Sequence, residues 1–283
     1  MNGILIIDKP PGWTSHDVVA KLRGVLRERR IGHGGTLDPM ATGVLPVFIG
    51  RATRAIELLP TTKTYLAAMK LGITTDTYDT TGTTVAASDN IPSFQQTSEA
   101  AASFVGEGEQ IPPMVSAVKM QGQPLYKLAR KGIEVERRPR PVRFDRIDAR
   151  ELENGEIELY IECSGGTYIR SLCHDIGQIL GCGAAMSALR RMKSGPFDIS
   201  QAVTLESVAP ETPPIPLDTL FGNLPAYEAS AADEKHIRNG AAFRAALPDG
   251  RCRVYARNGE FLMLGEVSGS IMKTIKSFFE VTP

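Results

Sequence analysis

The sequence predicts a soluble protein of two domains that combines helices with β-hairpins. Its 283 residues exceed the roughly 100–200 residues of a typical domain. Hydrophobic residues at 42% and charged residues at 23% are ordinary for a globular chain. A proline-rich stretch at 209–216 cannot continue a helix or a central strand. We therefore expect one domain at 1–210 and a small second domain at 217–283.

The sequence also predicts a cytosolic location. No apolar run approaches the ~20 residues that a membrane-spanning helix needs, and the N-terminus lacks the basic flank and long apolar run of a signal peptide. The cysteines have no zinc-ligand spacing, so we expect them to be reduced and mostly buried, with no metal site: Cys163, Cys173, Cys182 and Cys252.

The first elements follow from local signals. Residues 3–8 form a short apolar run that predicts a buried strand, and a Pro-Pro-Gly turn follows. Thr14 and Asp17 have the spacing of a capping box. Apolar residues then recur at helical spacing, which predicts a helix that ends at Gly32.

Asn-Gly pairs predict two hairpins. Asn154-Gly155 suits a type I′ turn between strands at 146–152 and 157–163, and Asn258-Gly259 joins strands at 253–257 and 261–267. Three further helices are expected, at 167–181 with Thr167 as its cap and Gly181 at its end, at 184–192, and at 231–238.

The net charge is zero, but the charges are segregated. Residues 71–118 carry six acids and no bases, whereas residues 119–146 carry nine bases and three acids, a local charge of +6. Smaller basic clusters lie at 21–30 and 190–193. Any one cluster is explained by a solvated surface, but three in a neutral chain favour a polyanionic partner such as a nucleic acid.

Residues 31–46 form the most unusual segment, with four glycines, two prolines, His33 and Asp38. This composition predicts a tight loop. No phosphate-binding motif GxxxxGK[ST], GxGxxG motif or GxSxG elbow occurs. Asp38-Pro39 alone also fits an ordinary type I turn, and the spacing of His33 and Asp38 does not indicate a metal site.

Two other positions suggest chemistry. Arg170 lies early in the helix predicted at 167–181, where a cation opposes the helix dipole unless an anion compensates. It either leans into solvent or meets a carboxylate or phosphate. Tyr65 enters a predicted strand, and it is either a core residue or an aromatic that stacks on a nucleobase.

Seven ordered motifs, spread over about residues 1–210, together resemble the TruB family, the bacterial tRNA pseudouridine-55 synthases. They are GHGGTLDPMATG at 32–43, DKPPGWTS at 8–15, KTY at 63–65, LGITTDTYD at 71–79, IPPMVSAVK at 111–119, LYKLARKG at 125–132 and GTYIR at 166–170.

The resemblance implies an α+β pseudouridine synthase fold: a long bent mixed sheet flanked by helices, with an active-site cleft across it and a small, mostly β, PUA-like domain at the C-terminus. It implies an enzyme that isomerises a uridine in the T-loop of tRNA to pseudouridine on a flipped-out base. It implies no cofactor, metal or ATP, no membrane, no obligate protein partner, and a monomer.

The resemblance also implies roles for individual residues. Asp38 would be the essential aspartate, paired with Arg170, and Tyr65 would stack on the target base. His33, Tyr168 and Leu189 would hold or line the substrate, with Lys9 as a further contact. A mobile insertion at about 111–141 would grip the RNA through Lys119, Tyr126, Arg130, Arg137, Arg138 and Arg140.

Two other functions stay open at this stage. The chain could be a tRNA-binding folding chaperone with secondary or no catalysis, although Asp38, Tyr65 and Arg170 are all present. A hydrolase of nucleosides would need a second positioned carboxylate or a metal set, which the sequence does not indicate. The point of attack of Asp38 and the group that removes the late proton also stay open.

Overall fold

The computed structural model of the chain describes residues 1–116, 118–120, 122–129, 131–133 and 135–279, without the side chains of residues 119, 120, 124 and 126. Within these ranges, no helix has the length and apolar character needed to cross a membrane.

Strands outnumber helices in the described part of the chain. In chain order, the strands are β1 (Gly3–Lys9), β2 (Ile31–His33), β3 (Thr42–Ile49), β4 (Lys63–Leu71), β5 (Ile73–Thr75), β6 (Thr84–Ala87), β7 (Gly106–Gln110), β8 (Lys119–Met120), β9 (Gln123–Pro124), β10 (Arg140–Glu151), β11 (Ile157–Cys163), β12 (Ala184–Ser194), β13 (Phe197–Asp198), β14 (Val203–Thr204), β15 (Ala226–Glu228), β16 (Phe243–Arg244), β17 (Gly250–Tyr255), β18 (Phe261–Ser268) and β19 (Ile271–Ser277). The helices are α1 (Ser15–Leu26), α2 (Phe94–Ala102), α3 (Leu125–Ala129), α4 (Ile169–Leu180) and α5 (Ala231–Arg238).

A long mixed sheet organises most of the chain. Its strand order is β14-β1-β3-β12-β4-β11-β10-β7, with β2 added on β3 and β13 on β12. Strand β12 is central, because it pairs parallel to β3 and antiparallel to β4. One face of the sheet carries the principal apolar core, in which α1 and α4 bury Leu22 and Leu172. This central position makes β12 a meeting point for elements distant in sequence.

The C-terminal strands form a separate five-stranded sheet, β15-β17-β18-β19-β16. A second apolar cluster connects the C-terminal sheet to strands β1 and β3 of the long sheet. In it, Ile6 and Phe48 are grouped with Leu264 and Phe278. The proline-rich stretch is tied to β1, since Ile215 exchanges two backbone hydrogen bonds with Ile4, at 2.8 and 2.9 Å. The division of the chain into domains near residue 210 stays a prediction.

Several predicted elements are confirmed. The strand at the N-terminus, both hairpins and the helix at 231–238 are present, and Thr14 and Asp17 form the predicted capping box. All four cysteines are buried and free. Helix α1 ends earlier than predicted, however, because Arg27 takes the left-handed conformation that was expected at Gly32.

Helix α4 begins one residue later than predicted. Tyr168 is its N-cap, with no side-chain capping bond, while Thr167 donates to the carbonyl of Ser164 at 2.9 Å. The predicted end at Gly181 is confirmed by its left-handed conformation. Thr167 therefore stabilises the turn before the helix rather than the helix itself.

The helix predicted at 184–192 is wrong, because those residues form strand β12. Alanine, methionine, leucine and arginine favour a helix locally. Here the segment pairs with β4 along most of its length and with β3 at Arg190 and Arg191, which satisfies backbone groups in an extended conformation. Tertiary pairing thus overrides local propensity at the centre of the sheet.

The type I′ turn predicted at Asn154-Gly155 is also wrong. Gly155 has φ +78°, but Asn154 has a negative φ, and the amide of Gly155 donates to the carbonyl of Leu152 at 2.9 Å. A second bond joins the amide of Leu152 to the carbonyl of Glu156 at 2.8 Å. This is a three-residue loop with a left-handed glycine, the type I turn with a glycine bulge.

One glycine permits the close approach of β3 to β12. Gly43 has φ +98°, and a Cβ added there would lie 2.2 Å from the carbonyl oxygen of Arg191. A side chain would force these strands apart, since the obstacle is backbone. We expect Gly43→Ala to lower the free energy of unfolding by about 2–5 kcal/mol, from left-handed strain and overpacking together, measured by urea denaturation.

The matched control is Gly24→Ala in the interior of α1, where an added Cβ meets nothing within 4 Å. Removing a helical glycine should raise the free energy of unfolding by about 0.5–1 kcal/mol. Equal effects of the two substitutions would contradict the close packing inferred at Gly43.

Candidate functional site

The glycine- and proline-rich loop connects β2 to β3, and hydrogen bonds from its backbone amides fix its conformation. The amide of Gly34 donates to the carbonyl of Pro46 at 2.8 Å, and the amide of Leu37 donates to Oγ of the buried Ser15 at 2.9 Å. The amide of Ala41 donates to the carbonyl of Asp38 at 3.0 Å. The sequence signal, glycines and prolines around one aspartate, therefore corresponds to a rigid turn that presents Asp38.

Lys9, the last residue of β1, stabilises the loop through a backbone carbonyl. Its side chain is fully buried, and Nζ donates to the carbonyls of Pro10, Trp13 and Pro39 at 2.9, 2.6 and 3.2 Å. Burial lowers the pKa of Lys9 to about 8, against the opposing influence of Asp38. Lys9 was predicted to contact substrate, but its three donors are already used on carbonyls. The structure places it as a support of the residue after Asp38.

Arg191 supports the loop from the other side. This arginine of β12 is 1% exposed. Its Nε donates to the carbonyl of Val44 at 2.7 Å, and its terminal nitrogens lie 3.1 Å from the carbonyl oxygen of Gly35 and 3.5 Å from that of Thr36. Asp38 is thus bracketed by buried cations, with Arg191 on the residues before it and Lys9 on the residue after it.

Asp38 and Arg170 form the predicted pair. Nε of Arg170 lies 2.9 Å from Oδ2 of Asp38, and Nη2 donates to Oδ1 at 3.2 Å. The Arg170 side chain is 3% exposed, whereas the Asp38 side chain is 36% exposed. The early position of Arg170 in α4 is therefore explained by a carboxylate, and the exposed side of Asp38 is accessible to a reacting group.

Asp79 is a second carboxylate on Arg170, and the sequence prediction missed it. Its Oδ2 lies 3.5 Å from Nη1 of Arg170, and its Oδ1 accepts from Thr77 Oγ1 at 2.9 Å and from the amide of Thr81 at 3.0 Å. Arg170 also donates to the carbonyls of Thr77 and Val115, at 3.0 and 2.8 Å. The guanidinium is held on several sides, so it keeps one orientation toward Asp38.

Tyr65 and Leu189 lie on the sheet beside this pair. Tyr65 is opposite Arg191 in the ladder between β4 and β12, and Leu189 is opposite Ala67, the next residue on the same face. Both side chains are about nine-tenths buried. Burial raises the pKa of Tyr65, against the neighbouring Arg191 guanidinium, so the phenol is neutral near pH 7. Tyr65 is a core residue on the face of the sheet that carries the principal apolar cluster.

His33 and Tyr168 are less buried. The ring of His33 meets that of His16 edge-on at a centroid distance of 5.3 Å, and burial lowers its pKa to about 4, so it is neutral near pH 7. Tyr168 is held through its backbone, which exchanges hydrogen bonds of 2.8 and 2.9 Å with the side chain of Gln110. Burial raises the pKa of the Tyr168 phenol.

The predicted insertion lies against this site at its first residues. The carbonyl of Ile111 accepts from Ser171 at 3.2 Å, and the carbonyl of Val115 accepts from Arg170. Arg138 and Arg140 are exposed, and Arg137 donates to the carbonyl of Pro112 at 3.1 Å. Arg130 and the side chains of Lys119 and Tyr126 lie outside the described residues, so their predicted roles stay predictions.

Arg191 and Asp79 had weak signals in the sequence. Arg191 belongs to the basic cluster at 190–193, which taken alone was explained by a solvated surface. Asp79 belongs to an acidic segment with several similar acids. No group of three or more metal-ligating side chains occurs within the described ranges.

The comparisons with known proteins agree with this geometry. Residues 23–169 match the N-terminal domain of TruB family pseudouridylate synthases, and residues 170–212 match the tRNA pseudouridylate synthase B C-terminal domain. The solved Cbf5-Nop10-Gar1 complex contains a similar chain, with a TM-score of 0.73 and 29% identity over 99% of this chain and 85% of that one. A structure of an H/ACA RNP bound to a substrate RNA containing 2′-deoxyuridine gives a TM-score of 0.72 and 27% identity, over 99% and 86% of the chains.

Curated relatives called tRNA pseudouridine synthase B match most of the chain. The protein of Heliobacterium mobile is 50% identical over 88% of this chain and 83% of its own, and that of Clostridium kluyveri is 42% identical over 98% and 100%. The architecture, an α+β arrangement of a mixed sheet flanked by helices with a small C-terminal β-sheet, is the pseudouridine synthase fold. The chain belongs to the TruB family of pseudouridylate synthases.

Proposed function

We propose that this enzyme converts the uridine at position 55, in the T-loop of tRNA, to pseudouridine. The observation that carries the proposal is the partly exposed Asp38 held by the buried Arg170. The names of the relatives support tRNA as the substrate, and the resemblance of the motifs supports the T-loop position. The intact Asp38–Arg170–Asp79 network argues against a protein that only binds or folds tRNA.

The reaction is an isomerisation. The bond from ribose C1′ to N1 of uracil breaks, a bond from C1′ to C5 forms, C5 loses its proton and N1 gains one. A carboxylate on a rigid loop suits nucleophilic or electrostatic help in breaking a glycosidic bond. Arg170 keeps the Asp38 carboxylate oriented toward the uridine, while Tyr65 and Leu189 pack on either side of its base.

The target uridine must flip out of the folded T-loop to reach Asp38. His33 and Tyr168 are proposed to hold the T-loop around the flipped base. Arg137, Arg138 and Arg140 are proposed to bind phosphates, with Lys119, Tyr126 and Arg130 of the same insertion. The enzyme is also proposed to act as a monomer without an obligate protein partner, as the resemblance of the motifs implies.

Asp38→Asn should abolish turnover while leaving tRNA affinity nearly unchanged, because the amide keeps the size of the carboxyl group but loses its charge. The assay is tritium release from unmodified tRNA labelled with [5-³H]uridine, with a filter-binding measurement of the Kd for tRNA. Release by the wild type and its loss in the variant are the expected result.

Asp89→Asn, in an exposed bend, is the matched control and should release tritium at the rate of the wild type. Release above a trace from Asp38→Asn would remove Asp38 from its proposed role. Tight tRNA binding without release by the wild type would favour the chaperone function instead.

Changing Arg137, Arg138 and Arg140 together to alanine should raise the KM for tRNA and flatten its salt dependence. Each arginine–phosphate interaction that the substitutions remove should reduce the slope of log affinity against log salt by about one. The measurement is the Kd for tRNA at several salt concentrations.

Replacing Arg244, Arg251 and Arg257 together by alanine, three exposed positions on the C-terminal sheet and its β17–β18 turn, provides the control for the same change in net charge. An unchanged salt slope in the triple variant would show that the insertion does not contact phosphates through these arginines.

A further inference from the structure

The loop between β5 and β6 contacts α4 through three consecutive residues. The carbonyl of Thr77 accepts from Nη1 of Arg170 at 3.0 Å, and Oδ2 of Asp79 lies 3.5 Å from the same nitrogen. Between them, the ring of Tyr78 stacks on that of His174, with a centroid distance of 3.9 Å and an interplanar angle of 15°. Because His174 follows Arg170 by four positions, the loop contacts two successive turns on one face of the helix.

Tyr78 makes this contact from a strained backbone. Its φ of +65° lies in the left-handed region, which a residue other than glycine keeps only where its surroundings enforce it. The loop is also tied to β12: the amide of Met186 donates to the carbonyl of Tyr78 at 3.0 Å, and the amide of Thr80 donates to the carbonyl of Met186 at 2.9 Å. The sheet thus holds the backbone of Tyr78 while its ring packs on the helix.

The stack joins the two rings by their faces. Nδ1 of His174 is buried and has no hydrogen-bond partner among the described residues. Burial lowers the pKa of His174, so the ring is neutral near pH 7 and adds no charge beside Arg170. Glycine would take the left-handed conformation of Tyr78 without strain but has no ring, so the stack is what a tyrosine adds at this position.

We infer that Tyr78 and His174 are positioning residues for the ion pair of Arg170 with Asp38. Their stack holds the β5–β6 loop against α4, and the loop holds the Arg170 guanidinium through one carbonyl and one carboxylate. Arg170 then keeps its Nε on Oδ2 of Asp38, at 2.9 Å. This inference rests on the proposed function and deepens it, because it adds two residues that act on Asp38 through Arg170.

The first test measures the orientation of Arg170 without substrate, as the exchange of its Nε proton with water in the NMR spectrum of ¹⁵N-labelled protein. Arg170→Lys assigns the signal by removing it. Tyr78→Asn keeps a residue that tolerates the left-handed conformation but removes the ring. Exchange should become about tenfold faster in this variant, the loss of about one hydrogen bond, and should stay unchanged in Tyr78→Phe. Unchanged exchange in Tyr78→Asn would overturn the inference.

Single-turnover tritium release tests the same positioning in the reaction. Tyr78→Asn and His174→Ala should each slow release about tenfold with an unchanged Kd for tRNA, because a misplaced reacting group lowers the rate. Tyr78→Phe and His174→Phe keep a stacked ring and should release tritium at nearly the wild-type rate. Combining Tyr78→Asn with His174→Ala should be no slower than the slower single variant, since the two residues form one contact. Effects that multiply, or slow release by the phenylalanine variants, would contradict the role of the stack.

His236→Ala is the matched control. His236 of α5 also stacks on an aromatic ring, that of Phe243 in the C-terminal sheet, at a centroid distance of 6.4 Å and an angle of 17°. This variant should change neither the exchange of the Arg170 Nε proton nor the release rate. A melting temperature lowered in Tyr78→Asn, with exchange and rate per folded enzyme unchanged, would show a merely structural stack and overturn the inference. Absence of release by the wild type would contradict the proposed function, whereas the exchange measurement would still decide the role of the stack.

Discussion

The ion pair between Asp38 and Arg170 is the constraint on which the site depends. It joins the β2–β3 loop to the first turn of α4, across 132 positions of sequence. A carboxylate at a cleft is otherwise free to rotate and to be solvated. Here a buried guanidinium, itself held by Asp79 and two carbonyls, gives the carboxylate one orientation. The site is therefore organised before any substrate arrives.

Two buried cations stabilise the loop that carries Asp38. Lys9 and Arg191 approach it from β1 and β12 and bind carbonyls on both sides of Asp38. Removing these positive charges from water is unfavourable, and this burial lowers the pKa of Lys9. Gly43 lets β3 approach Arg191 closely enough for this contact. The sheet thus carries these two buried charges, Lys9 on β1 and Arg191 on β12.

The sequence predicted the chemistry of this site better than its framework. The pairing of Asp38 with Arg170 was predicted from the resemblance of the motifs. The local signals, a glycine-rich loop and a cation early in a helix, showed only that both positions are unusual. The strand that carries Leu189 and Arg191 could not be predicted, because its residues favour a helix and only pairing with β3 and β4 makes it extended. Asp79 was missed for a related reason: nothing within its own segment indicates that α4 brings Arg170 to it.

The most direct test of the account is the turnover of Arg170→Lys. Lysine keeps the charge but cannot contact both oxygens of Asp38 and the surrounding carbonyls at once. The account predicts a single-turnover rate lowered by about 10²-fold or more, as for a misplaced reacting group, with an unchanged Kd for tRNA. A rate near that of the wild type would contradict the claim that this ion pair organises the site.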